Sequence, residues 1–416
     1  MSRPIRRLRL ALPVLIAVGT ATALAVPAQA AGSWSPPVQL PAGCASSGSQ
    51  PGLAVNAAGM EAAAGSQLNA DNSSSVLVCT SANGQTWPAP ATVGQGATPV
   101  VALAPDGRAV TAWEGGPFTA PVIQASVRPP GGTWSTPVTV GTDARAPLIG
   151  IDRSGNAIIA WAGSTGTIHT ASLPAGGSWT PAHSLATNYS SGLAMAVNSA
   201  GSAVLTWATK APGPGTYADS GTILGGFATP VKVGLPPYPG GRTSVALNDA
   251  GQAAMVWARG LGAANVAATR SAAGTWSAAV QLSANEGGNL GVAIDGAGDA
   301  VATFEQDVPS TTIIAQYASK LPAGGSWGPP VLLSAPGDSV SNFLGGRVVA
   351  DSAGTFVIAW TDGTTRTLNV LTSPPGGGFG GAVTLAPNVT QINNLQIAPG
   401  HAVLTFNSVV TSEPVS

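Results

Sequence analysis

Charged residues are scarce in this chain. Only 8% of the residues are Asp, Glu, Lys or Arg, and the formal net charge is −1. Without the four arginines of residues 1–30, twelve basic residues face 17 acidic ones, a net charge of about −5. Nucleic-acid binding needs a basic face for phosphate contacts. The composition therefore excludes a general polyanion binder, and no nucleic-acid partner is expected.

Motifs for metal or cofactor chemistry are also missing. The three histidines, His169, His183 and His401, lack paired-ligand spacing such as HExxH. The sequence contains no nucleophile elbow, phosphate loop or CxxC pair. We therefore expect neither a metal site nor a cofactor.

Cysteine is limited to Cys44 and Cys79. In an exported chain such a pair favours a disulfide, the alternative being two unpaired or metal-binding thiols. A bridge would close 35 residues of chain. On the loop-entropy model it would stabilise the fold by roughly 3–4 kcal/mol and clip the Gly- and Ser-rich start of the exported chain.

Long apolar runs occur only at the N-terminus. Basic residues 3–9 precede an apolar stretch over residues 10–26 and a small-x-small site at 28–30. This order predicts a secretory signal peptide over residues 1–30, with an uncleaved membrane anchor as the alternative. No later segment is long and apolar enough to span a bilayer. The mature protein is expected to be secreted, extracellular and monomeric, with no membrane span.

A hairpin pattern recurs along most of the chain. An Asp or Asn opens a turn, a glycine closes it, and an aromatic residue follows six positions later, as in Asp152 to Gly155 to Trp161. The turn glycines fall at 59, 107, 155, 201, 251, 298, 354 and 400. Asp or Asn bonds the backbone ahead of it and glycine takes the left-handed position, so these residues are predicted to be structural.

A second motif, Gly-Gly-x-Trp followed by a strand with proline near its start, accompanies each hairpin, as at Trp134. Proline cannot donate to a ladder, so this strand is predicted to be outermost. Each repeat then matches a four-stranded blade of an all-β propeller.

The two ends of the chain indicate how the ring closes. The Trp34 strand has no hairpin before it, and the Gly400 hairpin has no outer strand after it. Pairing them gives one composite blade and removes the open edge. We predict a single domain over residues 31–416 with eight blades, a seven-bladed ring with one degenerate unit being the alternative.

The segment 81–87, Ser-Ala-Asn-Gly-Gln-Thr-Trp, resembles the Asp-box of bacterial neuraminidase repeats, Ser-x-Asp-x-Gly-x-x-Trp. Other copies keep the Gly-x-Trp end and lack the aspartate. The resemblance implies a sialidase-like β-propeller. In sialidases it further implies three arginines for the substrate carboxylate, a tyrosine and glutamate nucleophile pair and an aspartate acid. The early Arg-Ile-Pro motif that carries the first arginine is absent.

The recurrent tryptophans are predicted to pack between blades, with a row of sugar-stacking platforms as the alternative. Function then belongs to residues that break the repeat, on the loops opposite the Asp/Asn turns. The candidates for this binding face are Glu114, Arg145, Arg242, Arg259, Glu305, Asp307 and Asp362. A solvated rim is the competing interpretation of these charges. Glu305 with Asp307 is the nearest arrangement to a carboxylate pair, and Arg242 with Arg259 the nearest to an anion clamp.

Two functions fit these residues. The first is a secreted, non-enzymatic propeller that binds a glycan, a peptide or a cell-envelope partner. The second is a sialidase-like glycoside hydrolase. A sialidase needs converging arginines, yet Arg145, Arg242 and Arg347 belong to blades three, five and seven. We expect them to be too far apart to grip one carboxylate, and so expect no sialidase activity.

Overall fold

The computed structural model describes most of the chain after the predicted leader. The described residues are 34–44, 52–210, 213–235, 241–259, 264–285, 288–308, 311, 313–335, 337, 339–340, 346–398 and 400–414. The predicted signal peptide, residues 1–30, lies outside them. All regular structure in the described part is β-strand.

The strands form eight sheets, numbered here as blades one to eight along the chain. The first strand of the chain, β1 (Val38–Gln39), belongs to the last blade. Blades one to three contain β2 (Gly52–Val55), β3 (Glu61–Leu68), β4 (Ser74–Ser81) and β5 (Ala91–Gln95); β6 (Ala97–Leu103), β7 (Ala109–Gly115), β8 (Val122–Arg128) and β9 (Val138–Thr142); and β10 (Arg145–Ile151), β11 (Ala157–Ala162), β12 (Ile168–Leu173) and β13 (His183–Ala186).

Blades four to six follow the same order. They contain β14 (Tyr189–Val197), β15 (Ser202–Thr209), β16 (Gly215–Thr222), β17 (Gly226–Phe227) and β18 (Val231–Gly234); β19 (Thr243–Leu247), β20 (Ala253–Ala258), β21 (Asn265–Arg270) and β22 (Val280–Gln281); and β23 (Gly291–Ile294), β24 (Ala300–Asp307), β25 (Ile314–Leu321) and β26 (Val331–Leu332). In blade four the outermost strand is split, because β17 and β18 both pair with β16.

The last two blades contain β27 (Arg347–Ala350), β28 (Phe356–Thr361), β29 (Leu368–Ser373) and β30 (Val383–Ala386); and β31 (Ile392–Ala398), β32 (His401–Phe406) and β33 (Val409–Glu413). The order within blade eight is β1-β33-β32-β31. The eight antiparallel four-stranded blades confirm the all-β, eight-bladed propeller and remove the seven-bladed alternative. The proline-bearing strands are outermost, as predicted.

Strand direction defines two faces of the ring. The first strand of each blade ends at the Asp/Asn–Gly turn, so these turns share one face, called the turn face below. The second strand runs back and ends on the opposite face, called the loop face below. The residues at the start of each first strand therefore share the loop face with the residues just after each buried tryptophan.

The turn residues have the structural role predicted for them. Asp152 Oδ1 accepts the backbone N–H groups of Ser154 and Asn156 at 2.8 and 2.9 Å. Gly155 closes this turn at φ 82°, a left-handed conformation that glycine adopts without strain. Asp295 and Asp351 cap their turns in the same way.

Asparagines at this turn position also connect blades, which the sequence did not predict. The Nδ2 of Asn56 donates to the carbonyl of Ala104 at 3.0 Å, one blade further on. Asn198 donates likewise to Asn248, and Asn248 to Asp295, at 2.9 and 2.8 Å. An amide can donate in this way, whereas an ionised Asp cannot. The choice of Asn therefore adds a hydrogen bond between neighbouring blades.

Glycines of the preceding blade pack against three of the five buried tryptophans of the second strands, Trp113, Trp161 and Trp257. Trp161 and Trp257 are fully buried. A Cβ on Gly234 would lie 2.5 Å from Cζ2 of Trp257, and one on Gly141 would overlap Trp161. Glycine near the end of the outermost strand thus leaves the space that the next indole fills. This close packing between blades supports the predicted packing role of the tryptophans.

The Gly141→Ala variant is expected to destabilise the protein by about 1–3 kcal/mol, because the added methyl overpacks the Trp161 contact. Gly378→Ala is the matched control, since a Cβ there meets nothing within 4 Å. Urea unfolding of both variants checks the difference. Equal stability of Gly141→Ala and the wild type would contradict the packing role of this glycine.

Ring closure between the chain ends is confirmed. Strand β1 pairs with β33 in the register Val38 to Val410 and Gln39 to Val409. Upstream of β1, Ser35 N–H donates to Ser412 O at 2.7 Å, and Thr411 Oγ1 donates to Ser35 O at 2.5 Å. The first described strand therefore completes the last blade as its outermost strand.

Two side-chain contacts reinforce this junction. Cys44 and Cys79 form a disulfide, as predicted. It ties the segment after β1 to β4 of blade one, so it links blades eight and one rather than only clipping the start of the propeller. On the turn face, His401 Nε2 of blade eight lies 3.2 Å from Oε1 of Glu61 in blade one, and Glu61 is fully buried.

The Asp-box-like segment of blade one forms a self-contained loop. Ser81 Oγ donates to Thr86 O at 2.7 Å and accepts the N–H of Gly84 at 2.9 Å. Asn83 Oδ1 accepts the N–H groups of Gln85 and Thr86, both at 3.0 Å. Asparagine at the aspartate position thus holds the loop by backbone contacts, and these contacts are structural.

Candidate functional site

The loop face carries three separate groups of the predicted residues. Glu114 and Arg145 lie at blades two and three, Arg242 and Arg259 at blade five, and Glu305 and Asp307 at blade six. Asp362 follows the second strand of blade seven. Their environments differ, and two of them, Glu305 and Asp362, are buried. The solvated-rim interpretation is therefore wrong for these two carboxyls.

At blades two and three the charges are already paired. Arg145 Nη1 lies 3.9 Å from Oε2 of Glu114, and Glu114 Oε1 accepts the N–H of Ala146 at 2.6 Å. The Arg145 guanidinium also stacks 4.4 Å from the centre of the Phe118 ring, which is 82% exposed. Phe118 was missed by the sequence reasoning because it lies in a loop outside the repeat. This group is a closed cluster with one exposed aromatic.

Glu305 occupies the position in blade six that Glu114 occupies in blade two, directly after the buried aromatic. Its environment is different, because Asn289 Nδ2 donates to its Oε1 at 2.6 Å and no arginine among the described residues pairs with it. Burial raises the pKa of Glu305 to about 7, although the Asn289 hydrogen bond lowers it. A carboxyl of this kind exchanges its proton near neutral pH.

Several buried oxygens near Glu305 have no hydrogen-bond partner among the described residues. On the side of blade six that faces blade seven they are Thr303 Oγ1, Glu305 Oε2 and Gln316 Oε1, whereas Gln306 Oε1 lies on the opposite side of the strand. Gln316 pairs with Glu305 across the sheet, and its Oε1 lies 2.5 Å from where a Cβ on Gly346 of blade seven would be. Unsatisfied buried acceptors are costly and rare. The loop-face end of the junction between blades six and seven is therefore rich in acceptors that lack donors.

Arg347 begins the innermost strand of blade seven, next to Gly346. Burial lowers its pKa, and the positive charge of Arg242 lowers it further. Arg242 directly precedes the innermost strand of blade five, so one blade separates the two arginines around the ring. That the three arginines lie too far apart to grip one carboxylate stays a prediction. Arg145, on the other side of the ring, is engaged with Glu114.

Neither Arg242 nor Arg347 has a carboxylate partner in the described part of the chain, where the ion pairs are Arg145–Glu114 and His401–Glu61. Arg242 is exposed and Arg347 is half-buried. A guanidinium drawn out of water without a counter-charge is unfavourable unless a ligand supplies one. This pair is the strongest candidate for anion recognition on the loop face.

The remaining predicted residues do not join this group. Asp362 closes its own turn, since its Oδ1 accepts the N–H groups of Thr364 and Thr365 at 2.6 and 2.8 Å. Asp307 is exposed at the end of β24 while Glu305 is buried, so the two differ in environment. Arg259 is exposed and lines a separate cavity in blade five.

Carboxyls with raised pKa values are distributed over different blades. Burial raises the pKa of Asp219 in blade four to about 6 and that of Glu413 in blade eight to about 7. Glycoside hydrolysis requires two carboxyls around one sugar ring. Asp219, Glu305 and Glu413 do not share a blade, and Asp295, whose pKa burial also raises, lies in the turn of blade six at the opposite face from Glu305. Within the residues that the structure describes, no cluster of three or more His, Cys, Asp or Glu side chains suits a metal ion.

Comparison with known proteins places the chain by its fold. No protein-family model matches it, and no curated protein sequence matches it. The BP39L lectin from Burkholderia pseudomallei is 13% identical over 81% of this chain and 99% of its own, with a TM-score of 0.54. The polysaccharide lyase Uly1 is 9% identical over 74% and 88%, with a TM-score of 0.49.

A fungal lectin from Aleuria aurantia, a six-bladed β-propeller with a novel fucose recognition mode, is 11% identical, covers 81% of this chain and 95% of its own, and has a TM-score of 0.41. At such identities the likeness shows the fold alone. The fold defines the class: the protein is an all-β, eight-bladed β-propeller.

Proposed function

We propose that the protein is an extracellular, non-enzymatic propeller that binds an acidic glycan on its loop face, over blades five to seven. The observation that carries the proposal is the pair Arg242 and Arg347, two guanidinium groups at the loop-face starts of the innermost strands of blades five and seven, which have no carboxylate partner in the described chain. Arginine binds carboxylate and sulfate groups by two parallel hydrogen bonds.

A sugar that carries an acidic group is the ligand class proposed for this pair. Glu305 Oε2 and Gln316 Oε1, at the junction between blades six and seven, lack donors but are fully buried, so in this conformation they are not ligand contacts. The similarity in fold to a lectin is consistent with this ligand class. A site of two arginines on a chain with few basic residues suits one acidic group better than a polyanion.

An extracellular location fits two features. The Cys44–Cys79 disulfide is of a kind that persists in oxidising compartments. In the described residues, no helix has the length and apolarity needed to cross a bilayer. We also propose that residues 1–30 are a signal peptide and that the propeller is related to Asp-box sialidases.

Binding of sugars that differ only in their charge tests the proposed function. Calorimetric titration with methyl glycosides of glucuronate, sialate and sulfated galactose is expected to show binding at least tenfold tighter than that of their neutral counterparts. Arg347→Ala and Arg242→Ala are each expected to weaken it at least tenfold, because a charge-assisted bidentate contact is lost. Arg153→Ala, on the turn face, is the control and keeps wild-type affinity.

Equal binding of neutral sugars, or wild-type affinity in Arg347→Ala, would refute the acidic-glycan proposal. The alternative hydrolase is tested in the same samples with a fluorogenic sialoside. No turnover is expected. Turnover that disappears in Arg242→Ala would replace the binding function by a sialidase-like one.

A further inference from the structure

A second feature of the loop-face side is a cavity between blades four and five. Its volume is about 300 Å³, at the lower end of the range of small-ligand sites. It is lined by Gly234, Leu235, Trp257, Arg259, Val266, Ala279 and Gln281. None of these residues belongs to the Arg242 and Arg347 pair.

The repeat explains why the cavity is there. Each buried aromatic of a second strand faces one residue of the third strand, and in blades three, four and six that residue is a ring. His169, Tyr217 and Tyr317 stack on their aromatic partners with centroid distances of 5.5, 6.3 and 6.3 Å. Blades two and seven place Gln124 and Asn369 there.

Blade five breaks this pattern. Trp257 pairs with Val266, a smaller side chain that is buried against it. Blade eight also has a valine, Val409, but there the partner strands meet at a tight turn after Phe406. The cavity of blade five thus occupies the space that a planar side chain fills in blades three, four and six.

The rim of the cavity carries polar groups suited to hydroxyls. Arg259 is exposed at the mouth and provides guanidinium donors. Gln281 donates its Nε2 to Ser283 O at 2.8 Å, which leaves its carbonyl oxygen as an acceptor. Leu235, 51% exposed, and Val266 provide an apolar wall. A flat ring with one apolar face and hydroxyls at its edge matches this lining.

We infer that this cavity is a binding site for a single uncharged pyranose ring, which takes the place of the ring missing from blade five. The ring would lie over Val266 with its hydroxyls toward Arg259 and Gln281. The choice of a sugar rests on the proposed function, whereas the cavity itself does not. The site is separate from the acidic-glycan site and would bind a neutral residue of the same or another glycan.

Saturation-transfer NMR and calorimetry with the neutral methyl glycosides of glucose, galactose, mannose and fucose test the inference. At least one is expected to bind with a dissociation constant on the order of 1 mM, as expected for a ligand of this size. Val266→Tyr restores the side chain found at this position in blades four and six. It is expected to abolish this binding while the melting temperature is maintained.

Two further variants separate this site from the proposed function. Arg347→Ala should leave the neutral-sugar signal unchanged, so failure of one site does not imply failure of the other. Tyr317→Val should open the equivalent space in blade six and add a second neutral-sugar signal. No binding by any of the glycosides, or undiminished binding in folded Val266→Tyr, would overturn the inference.

Discussion

Removing residues 34–40 is expected to lower the melting temperature by about 10 °C or more. The deletion removes the β1–β33 pairing and the Ser35 contacts, and it exposes the apolar cavity left by Leu40, which is 2% exposed. The loss of several backbone hydrogen bonds and a buried leucine amounts to several kcal/mol. It also leaves β33 as an open edge. Thermal unfolding followed by circular dichroism measures the change.

A peptide with the sequence of residues 33–41 provides the control for this deletion. Added in excess, it should occupy the vacant edge of blade eight and recover most of the lost melting temperature by mass action. A scrambled peptide should not. A deletion variant that melts with the wild type would show that β1 contributes nothing to closure.

Replacing Glu305 by Gln is expected to stabilise the protein strongly at pH 8 and hardly at all at pH 4.5. Burial raises the pKa of Glu305 to about 7, so the folded state holds its proton more tightly than the unfolded chain. The stabilisation by protonated Glu305 is full below the pKa that this residue has in the unfolded chain, and it is lost as the pH rises through 7. Glutamine cannot ionise, so the free energy of unfolding of the variant at pH 8 is higher by on the order of 3 kcal/mol.

Urea unfolding at both pH values checks this prediction, with Glu114→Gln as the matched control. Glu114 holds the same position in blade two and pairs with Arg145, so its loss should cost up to about 1 kcal/mol at pH 8. The wild type should also be less stable at pH 8 than at pH 5, because the pKa values of Asp219 and Glu413 are raised as well. A Glu305→Gln gain that is equal at both pH values would exclude ionisation as its cause.

A residue that lowers the stability of the fold at neutral pH is a candidate for a role in function. If Glu305 accepts ligand hydroxyls, the Gln variant should be more stable and bind more weakly. The two measurements together therefore separate a structural glutamate from a binding one.

Much of the fold could be predicted from the sequence, because residues close together in each repeat determine its turns and strands. Asp152 and Gly155 specify their turn by contacts within a few residues. The unmatched strands at Trp34 and Gly400 specified the closure, since an outer strand and a hairpin without partners complete each other. The turn prediction required only contacts between residues close in sequence. The closure prediction required only a comparison of whole repeats.

The contacts between blades were not predictable in the same way. Gly141 and Trp161 meet because the twist and radius of the ring bring one blade against the next. The Asn198 and Asn248 hydrogen bonds depend on the same geometry. The residues could be identified from the sequence, but the contacts between them could not.

The site shows this limit most clearly. Arg242 and Arg347 were placed correctly at the starts of innermost strands, but their separation depends on the diameter of the ring, which a repeat count does not give. Glu305 was selected as a residue that interrupts the repeat. It is buried, and its neighbours Gly288 and Asn289 precede β23, in a segment that the sequence analysis did not single out. Glu114 and Glu305 thus hold equivalent positions in the repeat but have different environments.

The composite eighth blade has a consequence for chain connectivity. Ser35 and Ser412 are hydrogen-bonded neighbours although 377 positions separate them. A short linker from the residue after β33 back to the residue before Ser35 would make the backbone a circle without disturbing a strand. The circle could then be cut at an exposed turn, such as that at Pro130 and Gly131, whose surroundings are open. Blade two would become the composite blade of this circular permutant, and the propeller would keep all its strand pairs.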